Sequence, residues 1–138
     1  MTRNPAELMH IGEVVERTGL SHRTIRYYEE VGLLTPAGRT EGGFRLYDEA
    51  GVERLLLIMP MKPLGFSIDE IRELLMAFDV ITGPATGDAE QSRARAVLES
   101  AHAQAESRIA ELKAATARAE AFTRRLGREL RVAGQPQA

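Results

Sequence analysis

From Ala89 to Leu126 the chain carries neither glycine nor proline, and the first break is Gly127. Such a stretch predicts one helix over 89–131, and at 1.5 Å per residue it extends roughly 60 Å. That is too long to fold onto a small domain, so the chain must combine a compact part with a protruding rod. Along the rod Leu98, Ala105, Leu112, Ala119 and Leu126 repeat every seven residues, with Ala101, Ala115 and Phe122 in the alternate position. Arg108 is a misfit in that series, with Ile109 beside it. A narrow, partly alanine-lined seam needs a partner helix, which predicts a dimerisation coiled coil, parallel or antiparallel. Its contact residues are Leu98, Ala101, Ala105, Ile109, Leu112, Ala115, Ala119, Phe122 and Leu126. A solvated single helix is the other reading.

The rest of the 138 residues leaves room for one domain of about 75 residues, small but able to bury a single core. In "IGEVVERTGL" Ile11, Val14 and Val15 fall at i, i+3 and i+4, a short amphipathic helix that Gly19 stops. Ser21 caps a second helix over His22 to Val31, ended by Gly32. Two short helices joined by a glycine-containing turn form a helix-turn-helix. Next, Pro36 and Gly38 mark a loop, and the pair Gly42-Gly43 predicts a small hairpin, or wing, carrying Phe44, Leu46 and Tyr47.

Asp48 can cap a third helix with Val52, Leu55, Leu56 and Met59 facing inward, while Pro60 should kink or end it. Ser67 and Glu70 form a capping box for a fourth, whose buried face is Ile68, Ile71, Leu74, Leu75 and Phe78. The predicted organisation is a domain over 10–79, a Gly/Pro-rich linker over 80–88, the long helix over 89–131 and a polar tail over 132–138. Asp88 with Gln91 is read as a further capping box. The fold class is mainly α: a winged helix-turn-helix domain with a small β-hairpin wing, then a long C-terminal dimerisation helix.

The second helix raises the functional question. Arg23, Arg26 and Tyr27 share one face of "LSHRTIRYYEEVGLL", while Ile25 and Tyr28 turn toward Val14, Val15 and Leu20. Guanidinium groups on such a face can reach guanine edges or phosphates in a major groove, and a tyrosyl hydroxyl can bond a phosphate oxygen. A solvated face with stray charges is the plain alternative. The wing adds Arg39 and Arg45 on either side of the paired glycines, with Tyr47 expected in the core. Charge does not help: up to Asp79 nine basic residues, Arg3 among them, face about thirteen acids, and the whole chain is at −2. Any nucleic acid would have to be held by a local patch.

At this point the chain resembles the MerR family of bacterial transcription regulators. The likeness runs from about Ile11 to Phe78 and rests on T-G-L, T-I-R-Y-Y-E, G-L-L, the wing R-x-x-x-G-F-R-x-Y and L-G-F-S, in that order. It implies an antiparallel coiled-coil homodimer on a pseudo-palindromic operator, lying in an overlong spacer between promoter elements. It further implies that double-stranded promoter DNA is bent and untwisted so that RNA polymerase engages both elements, an indirect readout. The family's DNA-contact positions fall on Arg23, Arg26, Tyr27, Arg39, Phe44 and Arg45. Two departures stand out: Phe44 replaces a frequent tyrosine and cannot bond a phosphate, and Pro60 lies in a stretch commonly basic and helical. A large C-terminal drug-binding domain is not expected.

Other functions are narrowed by composition. The chain has no cysteine, which removes disulfides, thiolate metal sites, iron–sulfur clusters and thiol nucleophiles. His10, His22 and His102 are scattered, so no structural zinc site, and no other metal or cofactor, is expected. His102 is read as solvated and Met59 and Met61 as core. Glu29 and Glu30 are read as surface charges and Asp69 and Glu70 as capping groups, which leaves no catalytic constellation; the chain is not expected to be an enzyme. No signal-peptide core or membrane span is visible, and a cytoplasmic location follows as the expectation. A small-molecule effector stays open and unidentified. The alternatives are a sequence-tolerant architectural DNA-binding protein or a coiled-coil adaptor without effector.

Overall fold

Local signals fix the first two helices. In the computed structural model, which describes residues 7–135, α1 (Ile11–Thr18) ends where Gly19 adopts a left-handed φ of 77° and returns its amide to the Val15 carbonyl at 2.8 Å. α2 (His22–Glu30) begins at Ser21, whose hydroxyl oxygen accepts from the Thr24 amide at 3.1 Å. Between the helices the buried Thr18 hydroxyl donates to the Val14 carbonyl at 2.8 Å and accepts from the Leu20 amide at 3.2 Å. The turn therefore carries no unsatisfied polar atom at that point. Residues before 7, including Arg3, and the end of the tail, including Pro136, lie outside the described residues.

The wing is a hairpin, and it has a third member. β1 (Met9–His10) pairs antiparallel with β3 (Arg45–Tyr47), which also pairs antiparallel with β2 (Gly38–Arg39), giving the order β1-β3-β2. Met9 lies opposite Tyr47 and Arg39 opposite Arg45. Two residues are too few to show a period, so β1 left no pattern in the sequence.

α3 (Glu49–Ile58) is capped by Asp48, which accepts from the Gly51 amide at 2.9 Å. Val52 and Leu55 are buried as expected, but Leu56 is 48% exposed and Met59 only half-buried. Ile58 and Met61 take the inward places. Pro60 explains the change: it ends the α-helix at Ile58, and a single 3-10 turn over Met59–Met61 brings Met61 into the core. α4 (Ile68–Thr82) opens on the expected capping box, with the Glu70 amide donating to Ser67 Oγ at 3.1 Å and the Ser67 amide to Glu70 Oε1 at 2.9 Å. Ile71, Leu74 and Leu75 are buried beneath it.

α5 (Asp88–Ala133) starts after Gly87 with no side-chain cap, so the pairing expected of Asp88 and Gln91 is absent. Gln91 instead donates its amide to the Val80 carbonyl at 3.2 Å and to the Thr86 hydroxyl at 2.9 Å, tying the new helix to the end of α4. The rod does not stand clear along its whole length. Its first turns fold back on α4, with Ala94 buried and Val97, Leu98 and Ala101 packed against the core. From Ile109 to Leu126 every residue of the helix is exposed. The core itself joins α1, α2, β3 and α3 through Val14, Ile25, Tyr47, Val52, Leu55 and Ile58.

Candidate nucleic-acid interface

α2 divides cleanly between two environments. Ile25 and Tyr28 are buried in the common core with Val14, while Arg23, Arg26 and Tyr27 are all exposed. Positions i, i+3 and i+4 put those three side chains on one face. The Tyr27 ring lies tilted against that of the buried Tyr28, with centroids 5.9 Å apart. Burial raises the ionisation of the Tyr28 hydroxyl above its ordinary value, with a smaller push from Tyr27.

The wing tip is built by its own backbone. The Thr40 amide donates to the Phe44 carbonyl at 2.8 Å and the Gly43 amide to the Thr40 carbonyl at 2.9 Å. Gly43 closes the turn at φ 85°, a conformation that side chains rarely adopt. The Arg39 guanidinium donates to the Gly43 carbonyl at 3.1 Å and so braces the tip. Phe44 projects from it, 71% exposed. A large aromatic ring left in water on a hairpin is costly unless something covers it.

Arg45 differs from the other expected contact residues. Its Nε lies 2.6 Å from Glu29 Oε2, and the Glu29 side chain is only 9% exposed. The Tyr47 hydroxyl donates to the other oxygen of the same carboxylate, Oε1, at 3.3 Å. Glu29 is thus not the surface charge expected of it: it pairs with the Arg45 guanidinium, accepts from the Tyr47 hydroxyl, and so fastens the wing to α2. Tyr47 is core, 1% exposed. Its hydroxyl ionises above the ordinary value, chiefly because it is buried and further because of Glu29, while Arg45 and Arg26 pull the other way. The two pieces of the interface meet at Glu29 of α2, which touches both Arg45 and Tyr47 of the wing. No local pattern signals the pairing of residues 29 and 45, which only the folded hairpin brings together.

The seam residues divide too. Leu98 and Ala101 serve the chain's own core, Ala105 is half-buried, and Ile109, Leu112, Ala115, Ala119, Phe122 and Leu126 are exposed. The Arg108 misfit has an explanation, since its Nε donates to the Pro63 carbonyl at 3.4 Å and its terminal nitrogen pairs with Glu111. His102 is exposed and lies 2.9 Å from Glu106. Among the described residues no group of three His, Cys, Asp or Glu could hold a metal, and no helix is long and apolar enough to cross a membrane.

Known proteins resemble this chain in sequence and fold. The model of the MerR HTH family regulatory protein matches residues 9–77, and that of the MerR, DNA binding family matches residues 52–120. The HTH-type transcriptional regulator CueR of Yersinia pestis is 44% identical over 70 residues, 51% of this chain and 50% of that one. The chain spans about half the length of the curated relatives it matches. A MerR family transcriptional regulator from Bacillus cereus superposes with a TM-score of 0.62 at 25% identity, covering 95% of this chain and 88% of that one. HiNmlR, a MerR family regulator lacking the sensor domain and bound to promoter DNA, gives a TM-score of 0.62 at 25% identity over 80% of this chain and 79% of its own.

Proposed function

The chain belongs to the MerR family of helix-turn-helix regulatory proteins, and on that premise we propose that it is a dimeric, sequence-specific regulator of transcription acting on promoter DNA. α2 enters a major groove with Arg23, Arg26 and Tyr27, and the wing lies along the neighbouring backbone with Arg39, Phe44 and Arg45. The observation that carries this reading is the exposed basic and aromatic face of α2 standing beside a wing fastened to the same helix. A likeness to HiNmlR, itself bound to promoter DNA, supports it.

The partner in dimerisation is a second copy. Ile109, Leu112, Phe122 and Leu126 are large apolar side chains on an exposed helix, and an antiparallel pairing covers them twice over. Two copies present two patches, which replaces the global positive charge the chain lacks. The operator is a pseudo-palindrome in a promoter spacer, RNA polymerase reads its distortion, and the setting is the cytoplasm.

The test is an unbiased selection of genomic fragments by the purified protein, followed by sequencing. Enrichment of an inverted repeat within a long promoter spacer is expected. Fragments with no shared motif would replace the reading with a sequence-tolerant architectural role, and no retention at modest salt would leave an adaptor built on the coiled coil.

A further inference from the structure

Glu29 stands where an acid should be unwelcome. It is in the last turn of α2, which has no basic residue there, so it adds negative charge to the negative end of the helix dipole. It lies within one turn of Arg26, on the helix that carries the phosphate-facing side chains. It is also largely desolvated, and a buried carboxylate without partners is costly. A glutamine or alanine would avoid both the dipole penalty and the cost of burying an ion. Among the described residues the partners of the carboxylate are on β3: Nε of Arg45 at 2.6 Å and the Tyr47 hydroxyl at 3.3 Å, one on each oxygen.

Resting on the reading of this surface as a DNA interface, we propose that Glu29 is the positioning residue of the wing. By pairing with the Arg45 guanidinium it holds that charge beside α2, where its N–H donors can meet a phosphate. By accepting from Tyr47 as well, it sets the register of the whole hairpin against α2. Arg45 is then a phosphate contact aimed by a residue that never touches DNA. A lysine in its place lacks the planar fork and carries its charge as a point on a flexible stem.

The experiment compares wild-type protein, Glu29→Gln, Arg45→Lys and the double variant. In wild-type protein the Arg45 Nε–H resonance should stand apart from those of the other arginines, shifted by the nearby carboxylate. In Glu29→Gln it should collapse into the common arginine group, with backbone amide shifts outside the wing and α2 unchanged. Binding to a selected DNA fragment should weaken about tenfold in Glu29→Gln, and by a similar factor in Arg45→Lys although that variant keeps the charge. The double variant should be no weaker than the worse single one, as two members of one unit behave. An Nε–H signal unmoved in Glu29→Gln, wild-type affinity in Arg45→Lys, or multiplying effects in the double variant would each overturn the proposal. Wild-type protein that retains no DNA would instead strike the DNA reading, and with it the aiming of Arg45, while the Nε–H signal alone decides whether Glu29 holds the wing.

Discussion

The guanidinium of Arg72, on α4, donates to the main-chain carbonyl of Val31, the residue that ends α2. The same side chain pairs with Asp69 at 2.9 Å. A cation at a helix C-terminus satisfies a carbonyl that the helix cannot and complements its dipole. The long-range partner matters because α2 has no basic residue of its own in that turn. Arg72→Ala should therefore lower stability by about 1 kcal/mol in urea unfolding. Equal stability would show that water replaces the contact at no cost.

The two buried tyrosines make the fold sensitive to alkali. Both hydroxyls ionise above the ordinary value in the folded chain. A group whose folded value is raised stabilises fully below the unfolded value, near 10, and that stability is lost as pH rises through the folded value. Melting temperature should hold below about pH 9 and fall above about pH 10. Tyr47→Phe should make the fall shallower, and a fall of unchanged steepness would remove Tyr47 as a cause.

Neighbours on α2 should behave oppositely. Ile25 has no exposed surface and Arg26 is exposed. Ile25→Ala should cost about 2–5 kcal/mol, and Arg26→Ala less than about 0.5 kcal/mol. Urea denaturation followed by circular dichroism distinguishes them. Comparable losses would mean that the helix does not divide as described.

The bare half of α5 should govern assembly. Phe122 and Leu56 are both large, apolar and exposed, on the rod and on α3 respectively. Phe122→Asp should reduce the mass seen by light scattering from two chains to one at micromolar concentration, and Leu56→Asp should leave it unchanged. A dimer that survives Phe122→Asp would move the interface elsewhere.

On DNA, Arg23→Ala should weaken specific binding by about 1–3 kcal/mol if its guanidinium pairs with a base edge. Arg39→Ala should weaken all sequences alike and reduce the slope of affinity against salt by about one counterion. A sequence preference unaltered in Arg23→Ala would remove that residue from the base-reading set.

Much of the fold was legible because its signals are local. Ser21, Asp48 and the Ser67–Glu70 box announce helix starts within three residues of themselves, and Gly19 announces an end. At Leu56 a run of leucines blurs a period of 3.6, and the inward place of Ile58, with Met59 only half-buried, depends on how Pro60 ends the helix. Glu29, Arg72 and the folding back of α5 depend on partners 16, 41 and about 20 residues away, respectively, distances at which a single sequence carries no pattern. The exposed face of α2 was legible for the same reason as the caps: three residues within five define it.

Between Asp88 and Leu126 the rod has no glycine or proline at which to flex, and its root is seated on α4. The free part, from Ile109 to Ala133, is about 37 Å long at 1.5 Å per residue. Stiffness of that kind makes the helix a ruler. Two copies clasped along it would hold their recognition helices at a separation set by covalent geometry, so an operator with a base pair inserted between its halves must be overwound or left half-read. The same rod is a lever: tilting its root by about 5° sweeps the tip through about 3 Å, given that rise.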